Sequence, residues 1–148
     1  MTAIPMGKSL ALRQGSELAI LAFGSMVEPC RSVAEQLDAT LINMRFVKPL
    51  DREAIRSAAA RHSHLVTVEE NAIAGGAGSG VNEVLAAEGL SADILNIGLD
   101  DNYIQHGTRE ECLHQAGLDS EGILAKIIRR FGAVDQNPFD LESSGTSG

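Results

Sequence analysis

Short apolar runs alternate with amphipathic stretches along most of this chain. Residues 8–13 (Lys-Ser-Leu-Ala-Leu-Arg) alternate weakly and end at Gln14-Gly15, which predicts a short edge strand and a turn. Residues 18–23 form a compact apolar run closed by Gly24-Ser25, as expected of a buried strand that meets a helix. Ser25 and Glu28 have the spacing of a capping box, whose hydroxyl and carboxylate would satisfy amides left open in a first helical turn. Pro29 falls within that turn, where a missing N–H does little harm. Val33, Ala34 and Leu37 then line one helical face. Residues 40–44 predict the next strand. Pro49 prevents its easy continuation, and Asp51 is placed to cap a helix over 52–61.

Residues 65–68 read as another buried strand. A glycine-rich turn follows and leads into a helix with Val81, Val84 and Leu85 on one face, stopped by Gly89. Residues 91–97 predict a final strand, and a polar loop over 99–107 comes after it. Thr108 and Glu111 repeat the capping-box spacing for a short helix ending near Gly117. Asp119 caps a last helix with Ile123, Ile127 and Ile128 on one side and Lys126, Arg129 and Arg130 toward its end, where cations complement the helix dipole. Beyond Phe131 the apolar pattern fails, so residues 132–148 read as a flexible tail, natural or left by cloning. Strands alternating with helices indicate βαβ units and a mainly parallel sheet covered on both faces. The fold class is α/β, with no repeat period.

Composition narrows the function classes. The 148 residues suit one domain, and 44% apolar and 22% charged residues are ordinary for a globular protein. No apolar run approaches the roughly 20 residues of a membrane span. The first eight residues lack the charged and apolar regions of a signal peptide. A net charge of −8 and 3% aromatic residues without Trp argue against a nucleic-acid partner, which would need cations and stacking surfaces. Cys30 and Cys112 lie far apart with no metal spacing, which fits two free thiols in a reducing cytosol.

Several features could carry chemistry. The turn Gly75-Gly76-Ala77-Gly78-Ser79-Gly80 could present helix amides to an anion, or let a helix pack closely on a sheet. It is neither G-x-G-x-x-G, since Val81 stands at the third glycine position, nor a P-loop, since no Gly-Lys-Ser/Thr follows. Glu69 and Glu70 end a strand, but neighbours on a strand point to opposite faces, which argues against a paired acid–base site and for one of them holding a neighbouring loop or domain. His62, His64, His106 and His114 show no metal-ligand spacing. Ser25, Ser79 and Cys112 lack a nucleophile-elbow context. The loop Asp100-Asp101-Asn102-Tyr103-Ile104-Gln105-His106-Gly107, at a strand's carboxyl edge, could bind a partner or fold over the sheet.

Three phrases in order carry a family resemblance: Arg45-Phe-x-x-Pro49-Leu50-Asp51, Glu69-Glu70-Asn71 and Gly75-Gly76-x-Gly78-Ser79. Together they resemble the C-terminal domain of transketolase-like thiamine enzymes, a group that includes the β subunits of 2-oxoacid dehydrogenases. Gly98-Leu99-x-Asp101-x-Tyr103-Ile104-x-His106-Gly107, then Gly117-Leu118-Asp119-x-x-Gly122-Ile123, together with Gly7-Lys8 and Arg13-x-Gly15, narrows this to the 1-deoxy-D-xylulose-5-phosphate synthase family. The resemblance covers roughly residues 4–131. Asp100 stands where a proline is usual, and Gly80 where alanine is common.

The resemblance implies a five-stranded, mostly parallel sheet in three α/β/α layers, with residues 8–13 as an antiparallel edge strand. It implies a cytoplasmic parent that condenses pyruvate with glyceraldehyde 3-phosphate, with decarboxylation, on thiamine diphosphate and magnesium, feeding isoprenoid, thiamine and pyridoxal synthesis. The family's Gly-Asp-Gly…Asn cofactor motif and activating glutamate belong to earlier domains, and neither occurs here. The chain is therefore expected to be non-catalytic alone, with no catalytic, cofactor or metal residue of its own. Its partners would be the parent's catalytic domains and a second subunit. Glu69, Glu70, Asn71, Gly75, Gly76, Asp101, Tyr103 and His106 are the expected inter-domain or partner contacts. Two alternatives stay open: a 2-oxoacid dehydrogenase β-subunit domain that docks a partner, and a free-standing nucleotide or phosphate binder using the glycine turn.

Overall fold

The structure is a computed structural model that describes residues 8–45, 49–73, 76–100 and 107–132. Among these, five strands form one sheet: β1 (Leu10–Arg13), β2 (Leu18–Ala22), β3 (Thr40–Asn43), β4 (His64–Ala72) and β5 (Asp93–Leu99). The helices are α1 (Val27–Leu37), α2 (Arg52–Arg61), α3 (Ala77–Ala87), α4 (Arg109–Ala116) and α5 (Ser120–Phe131). Strand order is β1-β3-β2-β4-β5, with β1 antiparallel to β3 and the other pairs parallel. The expected architecture, including the antiparallel edge strand, is present.

Strand periodicity sorts the core into two layers. Leu18, Ile20 and Ala22 face one side with Val66 and Val68, and pack with Val33 and Ala34 of α1 and Ile123 and Ile127 of α5. Ala19 and Leu21 face the other side with Leu65, against Ile55 of α2 and Val81, Val84 and Leu85 of α3. All of β2 is buried, which is why it reads as a continuous apolar run and not an alternating one.

Local signals set most boundaries. Asp51 caps α2 by accepting from the Ala54 amide at 3.1 Å, and also accepts from the Ser9 amide at 2.8 Å and the Ser9 hydroxyl at 3.0 Å. It thereby ties the approach to β1 to the start of α2. Thr108 accepts from the Glu111 amide, and Asp119 from the Gly122 amide. Gly117 closes α4 at φ 73, a left-handed position that suits glycine.

Three expectations need correction. Ser25 and Glu28 form no capping box: the chain enters α1 through a 3-10 turn over Gly24–Met26, and α1 has no side-chain cap. Ser25 lies inside that turn and bonds to Glu70, while Glu28 pairs with Arg31. β4 and β5 run on to Ala72 and Leu99, because they pair with each other beyond the apolar run, across an irregularity between Val68 and Ala72. Ile128 is 42% exposed, since the buried stripe of α5 is centred on Ile123 and Ile127.

Candidate functional site at the carboxyl edge of the sheet

From β2 the chain crosses through α1 to β3; from β4 it crosses through α3 to β5, on the opposite side. The carboxyl ends of β2 and β4 therefore flank a topological switch point, where ligands of open α/β sheets collect. Ser25 follows β2, and Glu69 and Glu70 lie near the end of β4, so the candidate chemistry is concentrated here.

The two glutamates part as strand geometry requires. Glu69 points to the α2/α3 side and is 1% exposed. Its oxygens accept from the amides of Ala77 at 2.8 Å and Gly78 at 2.7 Å, in the first turn of α3. A carboxylate there satisfies open amides and meets the positive end of the helix. The anion-cradle reading of the glycine turn needed those amides free; the chain's own side chain occupies them. Gly78 supports close packing instead: a Cβ there would lie 2.7 Å from Thr67 Oγ1 and 2.9 Å from Asn96 Oδ1, two buried-side partners themselves joined at 2.7 Å. At Gly80 a Cβ would come within 2.9 Å of Leu50 Cδ1.

Glu70 points to the α1/α4 side. Its carboxylate accepts from Arg109 through Nε at 3.1 Å and Nη2 at 2.9 Å, and from the Ser25 hydroxyl. The guanidinium first, and then the hydroxyl, hold its carboxyl below the usual carboxylate range. A carboxylate held ionised this way is a poor general acid and a weak base toward Ser25. Beside this cluster lies a groove of about 680 Å³, floored by Met26, Pro29, Leu113 and Leu118 and rimmed by Arg109 and Glu110.

Of the other expected contacts, Asn71 is exposed and Gly76 is the residue before α3, its amide donating to the Ile73 carbonyl at 3.2 Å. Gly75, Asp101, Tyr103 and His106 lie outside the described residues. Sequence reasoning missed Ser25 and Arg109 as partners of Glu70. They are 45 and 39 residues from it, and only the strand order brings them together.

The described histidines are engaged at separate places. His62 spans Thr40 Oγ1 and the Ala58 carbonyl, His64 stacks on Phe131, and His114 meets Asp119 at 2.6 Å. Among the described residues no three His, Cys, Asp or Glu side chains are grouped to hold a metal ion. Cys30 and Cys112 are both buried, and burial pushes the Cys30 thiol up to about 12.

Residues 7–123 match the family model described as transketolase, C-terminal domain. The chain is 55% identical over 132 residues to a 1-deoxy-D-xylulose-5-phosphate synthase of Chromohalobacter salexigens, covering 88% of this chain and 20% of that protein. It is 54% identical to the Nitrosococcus oceani synthase, covering all of this chain and 23% of the relative. The chain thus spans about a fifth of the length of these curated relatives. A solved structure described as a split gene transketolase, inactive beta4 tetramer, superposes with a TM-score of 0.81 at 26% identity, over 91% of this chain and 45% of that one. The chain belongs to the transketolase C-terminal domain family.

Proposed function

We propose that this chain serves as the C-terminal domain of a 1-deoxy-D-xylulose-5-phosphate synthase and is itself non-catalytic. The whole enzyme would be a cytoplasmic homodimeric transferase, joining pyruvate to glyceraldehyde 3-phosphate with loss of carbon dioxide for isoprenoid, thiamine and pyridoxal synthesis. The observation that carries this reading is 54% identity to such a synthase over the whole chain. Its role in the whole enzyme is packing, against the catalytic domains and in the subunit pair.

The cofactor that this assignment implies, thiamine diphosphate with magnesium, does not fit the residues described here. A diphosphate would compete with Glu69 for the first amides of α3. Cofactor binding is therefore assigned to the parent's other domains. The same occupied amides weigh against a free-standing nucleotide or phosphate binder. The similar solved structure, an inactive beta4 tetramer of a split gene transketolase, is consistent with a domain that needs the rest of the enzyme.

A chimera tests this. The chain replaces its matched segment in the Nitrosococcus oceani synthase, and turnover of pyruvate and glyceraldehyde 3-phosphate is measured with thiamine diphosphate and magnesium. The expected result is an active chimera and no product from the chain alone. Product from the chain alone would overturn the non-catalytic role. A folded but inactive chimera would overturn the assignment to the synthase.

A further inference from the structure

The geometry points to the groove between the start of α1, α4 and the start of α5 as the seat of the catalytic portion of the same polypeptide. This inference rests on the reading above and names the surface on which the domain docks. Both broad faces of the sheet are already covered by helices, so a further interface must use helix backs, an edge or an end of the sheet. Several outer helix surfaces are set with charges that already pair with one another: Arg52 and Arg56 with Glu88, Arg31 with Glu28, and Arg130 with Asp93. The recess between β1 and α1 is lined by four charged side chains, Arg13, Glu28, Arg31 and Glu35, of which the first three are held in ion pairs.

The groove differs. At about 680 Å³ it has an apolar floor, of which Pro29 and Leu113 are only half-buried and so keep surface to offer. On its rim Arg109 is spent on Glu70, whereas Glu110 has no ion-pair partner among the described residues. The complement is an apolar side chain seated on Pro29 and Leu113, beside a Lys or Arg that reaches Glu110. The relatives supply a source for it, since about four-fifths of their length lies outside the part this chain matches. The groove adjoins the switch point through Ser25 and Arg109, and a docked segment would touch α4 and the starts of α1 and α5 together.

Amide hydrogen exchange on the active chimera, compared with the chain alone at two concentrations, tests the assignment. Amides of α4 are expected to exchange about tenfold or more slowly in the chimera, because docking suppresses local opening. Those near Ile128, at the far end of α5, should be unchanged. Glu110→Lys and Leu113→Lys should lower the chimera's activity, while Ile128→Ser leaves it intact. Equal exchange of α4 in both contexts would overturn the groove assignment and leave the synthase reading standing. Concentration-dependent protection of α4 in the chain alone would also overturn it, by showing a second copy as the occupant. An inactive chimera would remove the synthase reading, and this inference with it.

Discussion

Glu69 and Glu70 are chain neighbours of one chemical type with opposite fates. On the α2/α3 side, Glu69 is buried and its oxygens are taken by two backbone amides of one helix. On the α1/α4 side, Glu70 stays at the surface and is held by side chains from two other segments. The first is local, with 8 and 9 residues between partners; the second spans 39 and 45. One side of the sheet's carboxyl edge is therefore sealed by its own backbone, whereas the other is held by exchangeable side chains beside an open groove. The docking surface proposed above lies on the second side.

The largest effect should come from Glu69→Ala, which leaves two amides without their acceptor. Each buried donor left unsatisfied costs about 1–3 kcal/mol, so a loss of about 2–6 kcal/mol is expected in urea unfolding. A loss under about 0.5 kcal/mol would mean that water replaces the carboxylate easily, and the sealed side would not be sealed.

Gly78→Ala comes next. Alanine gains roughly 1 kcal/mol of helix propensity, but its methyl would press on Thr67 and Asn96, and overpacking costs about 1–3 kcal/mol. A net destabilisation of about 0–2 kcal/mol is expected, where an exposed helical glycine would be stabilised by the same change.

Arg109→Ala should cost at most about 1 kcal/mol, because exposed ion pairs contribute little. A double-mutant cycle with Glu70→Ala should assign most of that loss to the pair; zero coupling would show that Glu70 is held by Ser25 alone.

The smallest effect is the pH response of the His114–Asp119 contact at the α4–α5 junction. Hydrogen bonding to Asp119, then its charge, raises the His114 pKa; bonding to His114 lowers that of Asp119. The histidine's contribution is full below its unfolded pKa of about 6.5 and lost as pH rises through the raised folded value. The aspartate's is present above about 3.9 and lost as pH falls through its lowered folded value. The contact thus stabilises most between about pH 4 and 6.5. Melting temperatures of wild type and His114→Ala should differ there and converge as pH rises through the raised His114 value.

Much of this organisation was legible from the residues alone. Asp51, Thr108 and Asp119 announce their helices because a cap acts within three residues, and apolar runs mark β2 and β4 because both are covered on two faces. The opposite facing of Glu69 and Glu70 follows from strand periodicity. What failed was non-local. Ser25 carries a capping-box spacing, yet it serves Glu70, because the strand order sets β2 beside β4 and a 3-10 turn displaces the helix start. Arg109 sits in an ordinary polar stretch, and nothing nearby in sequence points to Glu70. Whether the glycine turn held an anion or a sheet could not be resolved without seeing Glu69 fold back 8 residues onto Ala77.

The most direct test of the sealed and open sides is to follow backbone amides by NMR while the chain is titrated with inorganic phosphate, and then with thiamine diphosphate plus magnesium. The Ala77 and Gly78 amides should keep their positions throughout, because Glu69 already fills their bonds. Saturable shifts of those two amides would contradict the account, and would make the glycine turn a working anion site.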